Sequence, residues 1–210
     1  MNGILPILQR APVIPVAVIP RDIDAVDMAS ALLAGGIPVM EVTLRTPEGL
    51  PAIRRIHDEM EQMCVGAGTV WTAREAEEAM AAGAEFIVSP GRSDAVHAAC
   101  LAHGVPYLPG VQTVSEAAYW MGQGLEAVKF FPASVAGGPV ALKAFSSVLP
   151  GLSFCPTGGV SAASAPEYLA LPSVPCVGGS WLFEKDAMAE GHWGRIQTLA
   201  ATASRLTRSL

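Results

Sequence analysis

Short runs of β-branched and other apolar residues recur along this chain, and each is followed by a longer stretch of helix formers. The runs occupy residues 13–19, 37–43, 64–68, 86–89, 105–108, 127–131, 152–155 and 174–178. They start about 23 residues apart, the length of a strand, a helix and two short loops. The stretches between them predict helices over 22–34, 47–61, 72–82, 93–103, 115–122, 139–149, 161–169 and 194–208. Gly35-Gly36, Gly83 and Gly104 stand where helices should close with a left-handed residue. Thr72 with Glu75 three positions on reads as a capping box, and Ser93 as the cap of the next helix. Ile4, Leu5 and Ile7 suggest a short extra helix ahead of the first strand, placed to plug the bottom of the fold.

Eight strand–helix units match the minimum for a (β/α)8 TIM barrel, here a single α/β domain over residues 1–210. A doubly wound open sheet would need fewer strands. The first strand also leads into Ile19-Pro20-Arg21-Asp22, not into a glycine-rich dinucleotide turn. Composition agrees: 51% of residues are hydrophobic and only 15% charged, so several segments must be buried on both faces. Parallel sheets wrapped by helices meet that demand better than one-sided antiparallel sheets.

Charge narrows the function classes. The net charge is −6 with acidic groups scattered, which points away from nucleic acid and anionic membranes as partners. No basic-then-apolar leader and no bilayer-length apolar run is present, so a cytoplasmic protein is expected. Cys64, Cys100, Cys155 and Cys176 are far apart and lack metal-site spacing, so reduced buried thiols are expected, with no metal and no cofactor. His57, His97, His103 and His192 read as helix-surface or loop residues without a catalytic task.

The chemistry centres on Lys129, one of three lysines, set in Leu125-Glu126-Ala127-Val128-Lys129-Phe130-Phe131-Pro132. Lost hydration disfavours its ammonium form and favours the neutral amine, which attacks carbonyl carbon. A lysine that snorkels to solvent is the competing reading. In a barrel the ligand lies at the carboxyl ends of the strands, so polar residues there matter most. Glu41, Thr43 and Arg45 share strand parity and face one side. Glu41 reads both as a partner for buried Lys129 and as a general base. Arg45 suits bidentate binding of a carboxylate. Gly66-Ala67-Gly68-Thr69 carries little bulk and leaves room for a small ligand near the Thr69 hydroxyl, and Ser89-Pro90-Gly91 ends another strand. Thr157-Gly158-Gly159 and Gly178-Gly179-Ser180 follow the last two strands, the usual place for a phosphate cradle. Together these groups suit a phosphorylated sugar acid bearing a ketone.

The motifs Glu41-Val42-Thr43-Leu44-Arg45-Thr46, Val65-Gly66-Ala67-Gly68-Thr69-Val70, Ser89-Pro90-Gly91, Lys129-Phe130-Phe131-Pro132-Ala133, Cys155-Pro156-Thr157-Gly158-Gly159 and Gly178-Gly179-Ser180-Trp181 occur in this order. In that order they resemble the bacterial 2-keto-3-deoxy-6-phosphogluconate (KDPG) aldolases, including enzymes that also act on 4-hydroxy-2-oxoglutarate (KHG). The resemblance implies a trimeric class I aldolase on a (β/α)8 barrel that cleaves KDPG to pyruvate and glyceraldehyde 3-phosphate in the Entner–Doudoroff pathway. It further implies that Lys129 forms the Schiff base and Glu41 transfers protons. Arg45 and Thr69, near Pro90, would bind the pyruvate carboxylate, and Phe131 would border the pyruvate moiety. Thr157 would govern stereochemistry, while Gly158, Gly159, Gly178, Gly179 and Ser180 would surround the phosphate. Gln112 stands where a small residue is usual, which bears on the aldehyde side of the substrate. Lys129-Phe130-Phe131 also departs from the lysine-leucine-phenylalanine more usual in galactonate-pathway relatives.

Three other readings stay open at this level. One is an aldolase for the galactonate epimer, and another a lysine-independent phosphosugar isomerase or synthase on the same barrel. The third is a catalytically inert binding barrel, against which burying both Lys129 and Glu41 without a task argues. A metal-dependent aldolase would need a histidine and acidic cluster that the spacing does not supply.

Overall fold

The computed structural model describes residues 3–208. A four-residue helix α1 (Leu5–Leu8) comes first, with Ile7 and Leu8 buried. There follow β1 (Val13–Ala17), α2 (Ala25–Ala34), β2 (Val39–Thr43), α3 (Gly49–Glu59), β3 (Cys64–Gly68), α4 (Ala73–Ala81), β4 (Ile87–Val88) and α5 (Asp94–His103). The chain continues through β5 (Tyr107–Leu108), β6 (Gly110–Val111), α6 (Val114–Gly122), β7 (Ala127–Phe130), α7 (Gly138–Val148), β8 (Ser153–Pro156), α8 (Ala165–Leu169), β9 (Val177–Gly179), α9 (Lys185–Ala189) and α10 (Trp193–Ala203).

All the strand pairings are parallel. One sheet runs β5-β4-β3-β2-β1-β9 and a second β6-β7-β8. The result is a mixed α/β fold whose curled parallel sheet is covered by helices. Pro109, which has no N–H to donate, separates β5 from β6, so a second two-residue strand follows the fifth apolar run. Its carbonyl still accepts from Lys129 N–H at 2.9 Å. Between the two sheets, Thr157 and Gly178 form a parallel bridge. Every residue of β2 is buried, as expected of a strand covered on both faces.

The ends of the strands are punctuated differently. At their carboxyl ends, Thr72 and Glu75 form the expected capping box on α4, and Ser93 caps α5. Thr113 and Glu116 form a second box on α6, which begins before the predicted start at 115. At their amino ends, Gly36, Gly83 and Gly104 adopt positive φ, whereas Gly35 does not. A Cβ on Gly35 would strike Ala200, so that glycine lets α10 pack closely on α2. The helix predicted from 161 starts only at Ala165, because Ser161 and Ser164 exchange side-chain hydrogen bonds in a turn. The five-residue α9 escaped the sequence reading, being too short to show periodicity. Among the described residues no helix is long and apolar enough to cross a membrane.

Candidate active site

The twelve residues singled out in the sequence all line one cavity of about 190 Å³ at the carboxyl ends of the strands. Lys129 arrives from β7, Glu41 from β2, and Gly178 and Gly179 from β9. Arg45, Thr69, Pro90, Phe131, Thr157, Gly158, Gly159 and Ser180 come from the segments just past strand ends. Val16, Thr43 and Val160 complete the wall and are not among the binders expected from the sequence. Thr43 was within reach of the parity argument, since it lies between Glu41 and Arg45 on one face.

Lys129 Nζ lies 3.1 Å from Glu41 Oε1 and 3.4 Å from Oε2. Both residues are 4% exposed, so the snorkelling reading of Lys129 is wrong. The Phe131 ring centroid is 5.5 Å from Nζ, where a ring face attracts a cation. A buried pair of this kind loses hydration on both partners, and each offsets the other's loss.

Gly66 and Gly68, within β3, make room for protein side chains. A Cβ on Gly68 would collide with the Glu41 carboxylate, and one on Gly66 with the Phe86 ring. The space beside these two glycines is occupied by protein, at Gly68 by the acid itself, whereas Thr69 lines the cavity. Gly178 makes equivalent room for Thr157 Oγ1. Thr69 has φ 61°, the only positive φ of a non-glycine residue among those described, and a β-branched side chain is strained there. That strain turns the chain sharply between β3 and Val70, whose carbonyl accepts from Ser89 Oγ at 2.6 Å. Thr43 Oγ1 donates to Ala17 O at 3.0 Å and Thr46 Oγ1 to Ile19 O at 2.8 Å, tying the ends of β1 and β2 together.

Arg45 is exposed at the cavity mouth and takes part in no ion pair among the described residues. Its guanidinium is available to an anion. Gly158 and Gly159 carry φ 93° and 73°, conformations open to glycine at little cost. Gln112 is not part of the wall. It is exposed and lies outside the lining of this cavity, and its backbone N–H donates to Glu116 Oε2 at 2.8 Å beside the α6 capping box. A neighbouring cavity of about 640 Å³ shares Val16, Arg45 and Ser180 with the first and reaches Asp22 and Lys185. Among the described residues no group of three or more His, Cys, Asp or Glu side chains is placed to hold a metal ion.

An α/β fold that buries a lysine against a carboxylate at the carboxyl ends of its strands has the arrangement of enzymes that work through a lysine amine. This chain belongs to the KDPG and KHG aldolase family, whose model matches residues 4–199. It is 46% identical over 197 residues to the KHG/KDPG aldolase of Escherichia coli K12, covering 94% of this chain and 92% of that protein. The crystal structure of the Zymomonas mobilis ZM4 KDPG aldolase with 3-phosphoglycerate superposes with a TM-score of 0.92 at 43% identity, covering 98% of this chain and 97% of that one. The Legionella pneumophila KDPG aldolase, with pyruvate captured as a covalent carbinolamine intermediate, gives 0.93 at 42% identity, covering 97% and 98%.

Proposed function

We propose that this chain is a class I aldolase that cleaves KDPG to pyruvate and glyceraldehyde 3-phosphate. The observation that carries this reading is the buried Lys129–Glu41 contact of 3.1 Å inside the cavity. In the cleavage direction, Lys129 Nζ passes a proton to Glu41 and adds to the C2 ketone, and loss of water, taking that proton back, gives an iminium ion. Glu41 accepts the C4 hydroxyl proton as the C3–C4 bond breaks, and the bonding electrons pass into the enamine. The aldehyde leaves. Glu41 returns a proton to C3, and water releases pyruvate and regenerates the amine.

The remaining wall residues take positions around that sequence. Arg45 and Thr69, beside Pro90, bind the substrate carboxylate, and Phe131 flanks the three-carbon unit. Thr157 faces the hydroxyl-bearing carbon and sets its configuration. Gly158, Gly159, Gly178, Gly179 and Ser180 hold the phosphate through backbone N–H groups and a hydroxyl. KHG, cleaved to pyruvate and glyoxylate, is a second substrate on this reading. Its support is the exposed Arg45 and Ser180 at the mouth and the family to which the chain belongs.

The same reading takes residues 1–210 as one domain and the two sheets as one (β/α)8 barrel. Then β5 and β6 count as a single strand interrupted at Pro109, and the Thr157–Gly178 bridge joins β8 to β9. It also takes the protein as a homotrimer. Exposed Val135, Val140 and Val148, at 77%, 82% and 59%, offer apolar surface for subunit contact. The deciding experiment is borohydride reduction with pyruvate. An aldolase of this class gains a covalent adduct on Lys129, whereas a lysine-independent barrel gains none. Turnover of the gluconate and galactonate epimers and of KHG then ranks the substrates.

A further inference from the structure

The aldol chemistry leaves one buried pair of reactive groups unused. The Thr157–Gly178 bridge sets Cys155 beside Cys176, two residues back on each strand and on the same face. Their sulfurs are 3.6 Å apart, with Cys176 donating to Cys155. Cys155 Sγ also lies 3.8 Å from Thr157 Oγ1, and its residue stands opposite Lys129 in the β7–β8 register. Two thiols that merely filled space would need no such alignment, since a small apolar residue packs as well. We propose that Cys155 and Cys176 are an oxidative modification site: hydroperoxide closes a disulfide between them, and the closure switches off the aldol site above.

The geometry and the chemistry agree on the roles of the two sulfurs. A disulfide needs the sulfurs about 2.05 Å apart, so about 1.5 Å of closure suffices between neighbouring strands. The hydrogen bond from Cys176 holds the Cys155 thiol below its usual range; burial works against this, and the positive charge of Lys129 assists it. Burial pushes Cys176 well above its usual range. Cys155 thiolate therefore attacks the peroxide oxygen, forming a sulfenic acid and releasing hydroxide, which takes the proton that the thiol had lost. The Cys176 sulfur then attacks Cys155 sulfur and expels the second water. Two thiols are oxidised by two electrons and one peroxide becomes two waters. Cys64 and Cys100 lack a sulfur neighbour of this kind, so an oxidised thiol at either has no partner to close on.

Closure draws Cys155 toward Cys176 and away from its place opposite Lys129 in the β7–β8 register. A misplacement of about 1 Å at such a centre costs on the order of 100-fold in rate. That loss of aldol activity rests on the function proposed above, whereas the cross-link does not. The test is to expose the protein to hydrogen peroxide in chelator and read three quantities. Intact mass should fall by two hydrogens, non-reducing peptide maps should join Cys155 to Cys176, and cleavage should drop about 100-fold; dithiothreitol should reverse all three. Cys176→Ser and Cys176→Ala should form no cross-link and keep their activity through the same exposure, while Cys64→Ser and Cys100→Ser should behave as the parent. The proposal is overturned if the parent forms no Cys155–Cys176 link while folded, if the linked protein keeps full activity, or if the Cys176 variants are silenced as the parent is. A parent that cross-links but never cleaves substrate would count against the aldolase assignment and leave the modification site standing.

Discussion

The two ends of the sheet each hold a cavity of comparable size, and only one is equipped for chemistry. At the amino ends of the strands a space of about 250 Å³ is lined by residues such as Ile4, His97, Cys100, Tyr107 and Leu125. It is walled by packing: His97 lies 5.9 Å from the Tyr107 ring and 5.2 Å from Trp120, in stacked and edge-on arrangements. The cavity at the carboxyl ends is smaller, about 190 Å³, yet it brings a buried lysine, a buried carboxylate and an exposed arginine onto one space. Volume does not distinguish the two ends. What does is the convergence of charge where solvent has been removed, which makes each charge strongly felt and proton transfer direct.

The most damaging change at the equipped end is Lys129→Met. It should bring cleavage to background and eliminate the borohydride adduct. It also strands Glu41 as a buried, unpaired acid, at a cost of about 3–5 kcal/mol by urea unfolding. Lys129→Met combined with Glu41→Leu should recover most of that stability and none of the activity, separating the pair's chemistry from its packing. Next in size, Glu41→Gln should slow deuterium exchange at the pyruvate methyl, followed by NMR, about 100- to 10,000-fold while the adduct still forms. Unchanged exchange in that variant would remove Glu41 from proton transfer. Gly68→Ala pushes a methyl against the Glu41 carboxylate, and should slow exchange by about 100-fold with Lys129 still trappable.

Much of this site was legible because its residues sit at strand ends, and strand ends were marked by abrupt changes of residue type. The fold supplied the convergence: residues 88 positions apart, Glu41 and Lys129, meet because each occupies an inward position of its own strand. The reading failed where the deciding fact was a neighbour. Nothing local says that the space at Gly68 belongs to Glu41, or that Gly66 makes way for Phe86. Nor does anything local distinguish a Gln112 that lines the cavity from one exposed outside it. Pro109 was visible as a strand breaker, but the strand resuming at Gly110 is only two residues long and gave no run to detect. The Thr113–Glu116 box carried the same spacing signal as Thr72–Glu75 and could have been found by the same rule.

At the other end the expected effects are on stability alone. His97→Ala removes a ring packed against Tyr107 and Trp120, and should cost about 1 kcal/mol in urea unfolding. Its cleavage rate and borohydride trapping should match the parent. A fall in turnover with unchanged affinity would mean that this end is coupled to the chemistry, and the contrast between the cavities would need redrawing.

The smallest effect expected concerns the capping box that follows β3, because it stands at the mouth end without touching the cavity. The hydrogen bond from Trp71 N–H, at 2.8 Å, holds the Glu75 carboxyl below its ordinary value; burial opposes this, and the Thr72 hydrogen bonds add to it. Because the folded value is the lower one, the unfolded chain takes up the proton first as pH falls. The charge-dependent stabilisation is therefore complete above the unfolded value of about 4.3, and is lost as pH drops through the folded one. Glutamine can occupy the same box position, so Glu75→Gln keeps a cap and removes only the charge. The parent should exceed this variant by less than about 1 kcal/mol at pH 6, since the group is partly exposed and screened. The gap should shrink toward zero below pH of about 4 as the parent's carboxyl protonates. Urea midpoints of both proteins across that range measure it, and a gap that widened on acidification would show that Glu75 acts through something other than its charge on the helix end.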